Sequence, residues 1–308
     1  MIFNNKELTE LITDLNREYS IGNNVMEYAR KLYPEVQNSG SELSRIACLI
    51  AYDLQAGSYV DYADDNLLFI DKWCDQLSNI LKEYFPGINS LLEVGVGECT
   101  TLAGVSSRFD HYVNIFGFDQ SLSRIEYGKN WLKKNNKCAH LFVGEIEEIP
   151  FRDSSIDLVY TSHSLEPNRG LETKLISELI RVANVGVVLI EPIYELASVE
   201  SKKRMDQHYY VKNLLKICQA FDVFVEEYKL LPVFDNPLNR SGVIVLRKKI
   251  SKKFNDENIW QCPVSKFQMN LRNGYMSVPK AGIIYPVIND TPMLLKQNAI
   301  ISSYLANK

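Results

Sequence analysis

No run of about 18 apolar residues interrupts the 308-residue chain, so a membrane-crossing helix is not expected. The opening stretch, MIFNNKELTELITDLN, carries polar and acidic residues where an export signal needs an apolar core, and a cytoplasmic protein is the expectation. Positive charge is not in excess: 34 Lys and Arg against 38 Asp and Glu leave a formal charge of −4. Nucleic-acid binding ordinarily leaves a basic footprint, so such a substrate is disfavoured, although an acidic protein can still carry a local basic patch. The six cysteines (Cys48, Cys74, Cys99, Cys138, Cys218 and Cys262) form no CxxC pair, and the four histidines stand apart from one another. Neither a disulfide framework nor a metal site is therefore indicated. Tandem repeats and low-complexity tracts are absent as well.

What is present is a sizeable core: 46% of residues are hydrophobic and 23% charged, the balance of a folded chain of more than one average domain. Three regions differ in pattern. Residues 1–87 read as a helical cap, with apolar positions at helical spacing in LTELITDL, VMEYARKLY, LSRIACLIAYDL and LLFIDKWCDQLSNIL. Pro34, Gly40 and Gly57 punctuate it and Pro86–Gly87 closes it. Its tyrosines (Tyr19, Tyr28, Tyr33, Tyr52, Tyr59, Tyr62) suit helix packing, or alternatively a pocket wall. Residues 88–248 alternate helical patterns with apolar runs (SLLEV, VNIFGFD, HLFVG, IDLVYTS, VVLIEP, VFVEEYKLL, GVIVLRK). That alternation predicts an α/β fold: a Rossmann-like, seven-stranded, mostly parallel sheet with helices on both faces and a final antiparallel hairpin. Residues 249–308 pass from a charged linker, KKISKKFNDEN, into a small β-rich domain.

The chemistry-bearing segment is LLEVGVGEC, residues 91–99, a strand running into a turn. Gly95 and Gly97 let backbone approach a ligand there, at the carboxyl end of the first strand, where open α/β sheets bind. A GxG turn alone serves packing as readily as binding. In GFDQ, Asp119 ends the second strand, spaced to accept hydrogen bonds from ribose hydroxyls or else to cap the next helix. Glu145 and Ile146 follow the third strand as candidates for an adenine edge and face. The rival ligand, a dinucleotide pyrophosphate, calls for GxGxxG. Here Thr100 fills the last glycine slot, and Glu98 places negative charge in the turn.

These features together resemble the class I S-adenosylmethionine-dependent methyltransferases, of the type 11-like kind, over roughly residues 88–248. The acid and GxG of their first motif fall on Glu93, Gly95 and Gly97, and their ribose acid on Asp119, beside Gln120. Residues 144–159 are similar to the family's GDAExLPFxDxSFDLV, with Glu145 in place of Asp; TSHSLE, 161–166, is similar to SxHxLEH. Arg181, Val182, Gly186 and VVLIEP resemble RVLKPGGxLxxxEP. Cys99 departs from the pattern, standing where the family has a third glycine. The resemblance implies S-adenosyl-L-methionine as cofactor, held by Glu93, Gly95, Gly97, Asp119, Gln120, Glu145, Ile146 and Ser162.

The donor in such a reaction is already activated, so aligning the acceptor supplies much of the catalysis. His163, just past the fourth strand, is the candidate base, an imidazole titrating near neutrality; ordering the loop is its other reading. Glu166 and Glu191 lie on the same rim. A small-molecule acceptor, a sugar or secondary metabolite, is the leading expectation. RNA or protein is the alternative, which a patch of Lys202, Lys203, Arg204 and Lys212 would favour; a non-catalytic scaffold is the third. In the tail, WQCPVSK and GIIYPVINDTPMLL resemble the zinc-ribbon methyltransferase-activator family. Only Cys262 fills a cysteine slot and Ser265 occupies the second, so the ribbon is degenerate. By that resemblance the tail packs on the methyltransferase domain and adds a strand to a sheet edge.

Overall fold

A computed structural model of the chain describes residues 5–32, 42–250 and 258–307. Tyr33, Pro34, Gly40 and most of the charged linker lie outside those residues. The apolar periods of the first region form α1 (Asn5–Ser20), α2 (Val25–Leu32) and α3 (Glu42–Leu54), which bury Leu11, Leu15, Val25 and Ala51 among themselves. A helix the periodicity misses, α4 (Ser58–Asp65), leads into α5 (Leu67–Tyr84). In α4 only Ala63 is buried, so an apolar stripe does not explain it. Helix α5 turns Trp73, Cys74, Leu77 and Leu81 inward and ends just before Pro86, whose ring cannot continue a helix.

The central sheet follows as β1 (Ser90–Val94), α6 (Thr100–Ser106), β2 (Asn114–Asp119), α7 (Leu122–Lys134), β3 (His140–Val143) and β4 (Ile156–Ser162). It is completed by α8 (Glu172–Val182), β5 (Ala183–Pro192), α9 (Val199–Gln207), α10 (Leu214–Cys218), β6 (Val223–Leu230) and β7 (Ser241–Lys248). The strand order is β3-β2-β1-β4-β5-β7-β6. The first five strands pair in parallel, while β7 runs antiparallel to both β5 and β6, the expected hairpin. Continuous Val/Ile/Leu runs arise because both faces are covered. Leu91, Leu158, Val188 and Val245 face the core shared with α5 and α6; Leu92, Val159, Leu189 and Ile244 face the opposite core. Each such side chain contributes about 1.5–3 kcal/mol by leaving water. The sequence order reverses at β1, between β2 and β4, which puts the ligand crevice above the end of β1.

Strand β5 begins earlier than its apolar run, directly at the end of α8. Gly186 is a paired strand residue opposite Arg247. A β-carbon there would lie 2.3 Å from the Phe85 ring, so the glycine makes room for the residue that follows α5.

The tail forms β8 (Asn270–Arg272), β9 (Tyr275–Val278), β10 (Ile283–Ile288), β11 (Thr291–Pro292), β12 (Ile300–Ile301) and α11 (Ser303–Ala306), with antiparallel pairing throughout. It docks beside β3: Met293 bridges Val143 in parallel, and the Leu294 N–H donates to the Val143 carbonyl at 2.7 Å. Trp260 packs against Phe142 and Phe151 with centroid separations of 5.4 and 4.7 Å. In the tail, the fully buried Cys262 sulfur accepts the Ser265 N–H at 3.3 Å and lies 3.4 Å from the Tyr285 hydroxyl. A tyrosine thus faces the cysteine, and no group of three His, Cys, Asp or Glu among the described residues could hold a metal. No described helix is long and apolar enough to cross a membrane.

Candidate active site

The turn after β1 is shaped by positive φ at three positions: Gly95 (69°), Gly97 (53°) and Cys99 (59°). Left-handed backbone suits glycine and strains a side chain. A β-carbon on Gly95 would lie 2.4 Å from that of Ser164, and one on Gly97 would lie 3.3 Å from the Tyr59 ring. The turn is a backbone-floored cradle bounded by the loop after β4 and by the helical cap. Cys99, where the family has glycine, is accommodated by Gly128 of α7: a β-carbon on Gly128 would fall 2.6 Å from the Cys99 sulfur.

Asp119 closes one end of this cradle. Its carboxylate accepts the Gly97 N–H at 3.1 Å and the Ser121 N–H at 3.0 Å, leaving lone pairs for a further donor. Burial pushes it above the usual range, while the Ser121 amide, Arg124 and the Gly97 amide pull it back. It does not cap α7; Ser121 does, accepting the Arg124 N–H. Gln120 beside it is exposed. Glu145 is half-buried after β3, whereas Ile146 is buried among Phe142, Ile149 and Leu175. Ser162 sits half-buried at the last residue of β4, paired in register with Ile190.

Two acids occupy positions their sequence context does not suggest. Glu93 is sealed in the interior, accepting the Tyr160 hydroxyl proton at 2.6 Å, and burial raises it to about 8 against the pull of that hydroxyl. The Glu93 side chain therefore supports the cradle from beneath rather than lining it. Glu98 points away from the cradle altogether. Fully buried, it accepts N–H groups from Gly57 (2.9 Å), Tyr59 (3.0 Å) and Val60 (2.8 Å) and pairs with Arg124 at 2.7 Å. The expected repulsion of a pyrophosphate by Glu98 is thus corrected, because its charge is neutralised inside the protein.

At the other end, the loop after β4 carries His163 at φ 57°. Its Nδ1 donates to Glu166 at 3.0 Å and its Nε2 lies 2.6 Å from the Ser241 hydroxyl. Burial pulls the imidazole down, but Glu166 and Glu191 outweigh it and hold His163 above its ordinary value. Trp73 of α5 lies over it at 6.1 Å between centroids. Glu191 is buried, accepting the N–H groups of Ser164 (3.1 Å) and Leu165 (3.2 Å); burial raises it to about 7 while His163 pulls it back. Sequence context alone does not show that Glu191 holds this loop. The Val211 N–H donates to the Glu166 carbonyl, and Tyr210 is buried against Arg204, closing the rim.

The residues present fit a nucleoside donor with a methionine tail. Beyond the Gly95–Gly97 floor, Ser164 Oγ is a buried polar atom without a hydrogen-bond partner. Buried groups left so are costly and mark where a ligand completes the set. When bound, S-adenosylmethionine supplies a methyl group activated by its sulfonium.

Residues 91–186 match the model of a methyltransferase domain. No curated protein sequence matches the chain. Among solved structures, magnesium protoporphyrin IX methyltransferase from Synechocystis PCC 6803 with bound SAH is similar at TM-score 0.50 and 11% identity, covering 65% of this chain and 99% of that one. The PH0226 protein of Pyrococcus horikoshii OT3 gives 0.47 and 15% over 58% and 90%. Geranyl diphosphate C-methyltransferase of Streptomyces coelicolor A3(2) gives 0.45 and 12% over 56% and 76%. Residues 91–186 of the chain thus match a methyltransferase domain, on a fold that it shares with the Synechocystis structure.

Proposed function

We propose that the protein methylates a small-molecule acceptor, in the class of sugars or secondary metabolites, bound above the carboxyl ends of β4 and β5. The observation that carries this reading is the walled rim around His163: Trp73 from the cap, Glu166 at Nδ1, Ser241 at Nε2, and Tyr210 with Arg204 beside them. His163 serves as the proton acceptor, with Glu166 fixing its tautomer. The buried Ser241 hydroxyl occupies Nε2 at 2.6 Å, and an acceptor hydroxyl or amine displaces it there. As the S–CH3 bond breaks and the acceptor–CH3 bond forms, the acceptor's proton passes to that nitrogen. The cradle residues Gly95, Gly97, Asp119, Gln120, Glu145, Ile146 and Ser162 hold the donor, with Glu93 beneath them.

The basic patch that would favour RNA or protein is largely spoken for. Lys212 and Arg169 both pair with Asp206, Arg204 donates to Asn239 at 2.7 Å, and the Lys202 ammonium lies over the Tyr194 ring. This supports the smaller acceptor. The test is incubation with methyl-labelled S-adenosylmethionine and a fractionated cell extract. Label in the low-mass fraction is expected, and label confined to RNA or protein would overturn the acceptor class.

A further inference from the structure

Tyr59 lies outside the matched domain, yet its ring stands over the cradle. The ring is the nearest group to a β-carbon built on Gly97, at 3.3 Å, and it remains 47% exposed, so one face is open to a ligand. Its other contact is the Arg124 guanidinium, 4.3 Å from the ring centroid. Arg124 is itself buried, donates to the Tyr52 carbonyl at 3.0 Å and pairs with Glu98. Glu98 in turn holds the backbone of Gly57, Tyr59 and Val60. A second clamp repeats the arrangement at the ribose end. Asp53 of α3 accepts the hydroxyl protons of Ser121 (2.6 Å) and Ser123 (2.9 Å) at the start of α7. The cap is thus tied to both turns that face the donor, the one after β1 and the one after β2.

We propose that Tyr59 is a donor-binding residue supplied by the cap, its ring closing the cradle opposite Gly97, and that Arg124 is the positioning residue that fixes it there. The inference rests on the donor reading of the cradle. An aromatic face is attracted to a cationic centre, and the sulfonium carried by the donor, absent from its product, gives the ring a way to tell them apart. A wall tied down by the buried Glu98 and by the half-buried Asp53 does not swing out between turnovers, so the ring contact is preformed rather than induced.

The experiment is calorimetric titration of the full chain with sinefungin, an amine-bearing cationic donor analogue, and with S-adenosylhomocysteine. Variants are Tyr59→Ala, Tyr59→Phe, Arg124→Met and, as a control on the same helix, Tyr62→Ala. Tyr59→Ala should weaken sinefungin by about five- to thirtyfold, the size of a desolvated cation–π contact, and S-adenosylhomocysteine by less. Tyr59→Phe should stay within about twofold of wild type, since the ring face is kept. Arg124→Met should weaken both ligands, with thermal unfolding followed alongside to confirm that it folds. Equal affinity in wild type and Tyr59→Ala, or equal losses in Tyr62→Ala and Tyr59→Ala, would overturn the proposal. Absence of binding by wild type would instead remove the donor reading itself.

Discussion

The sulfur of Cys99 occupies the notch that Gly128 leaves in α7, with only 2.6 Å between it and the place of a β-carbon. A residue strained by left-handed backbone in the cradle turn is therefore matched by a missing side chain in the helix behind it. Gly128→Ala should destabilise the protein by about 1–3 kcal/mol through overpacking. Adding Cys99→Gly should recover part of that loss. Urea unfolding of both single variants and the double variant measures the coupling, and strictly additive values would dissociate the two residues.

Glu93 gives a pH signature. Its raised value means that the folded protein keeps a proton which the unfolded chain releases above its ordinary pKa, so its stabilising neutral form is fully present at low pH. Stability from this group falls by up to about 1.4 kcal/mol per pH unit as pH rises from the ordinary carboxylate range. The fall levels off above about 8. Glu93→Gln should flatten this slope in thermal melts taken from pH 5 to pH 9, and an unchanged slope would refute the assignment.

His163 should control the rate rather than donor affinity. His163→Ala should lower kcat by about 10²–10⁴-fold, the usual range for general base catalysis, with little change in S-adenosylhomocysteine binding. Because Glu166 raises the imidazole, and a base acts once deprotonated, the rate should climb as pH passes the raised value. Glu166→Gln should move that midpoint to lower pH, whereas a role confined to loop order would leave it unmoved.

How much of this was legible in sequence follows from where each signal resides. The strands were readable because a sheet covered on both faces requires unbroken Val/Ile/Leu runs, and SLLEV and IDLVYTS match β1 and β4 at both ends. Helix α4 was not readable, because SYVDYADD lacks an apolar period and the carboxylate at its first turn belongs to Glu98, 38 or more residues downstream. For the same reason Glu98 looked like charge facing a ligand: sequence shows an acid in a turn but not its buried arginine. The positions of Gly95, Gly97 and Asp119 could be read because backbone conformation and strand-end placement are local properties.

The Glu98–Arg124 pair should behave as a buried ion pair. Glu98→Ala leaves Arg124 uncompensated and should cost about 3–5 kcal/mol, read by denaturant unfolding. Hydrogen exchange should quicken first at the amides of Gly57, Tyr59 and Val60. A loss below about 1 kcal/mol, typical of an exposed pair, would contradict its buried role.

The docking of Met293 and Leu294 along Val143 has a consequence for solubility. Strand β3 ends the seven-stranded sheet, and a bare outer strand offers its unpaired amides and carbonyls to any passing chain. Here that strand is guarded by the chain's own tail, together with Trp260 laid across Phe142 and Phe151. A protein cut before residue 258 keeps every donor-facing residue but uncovers this rim, and self-association is the failure to look for in it.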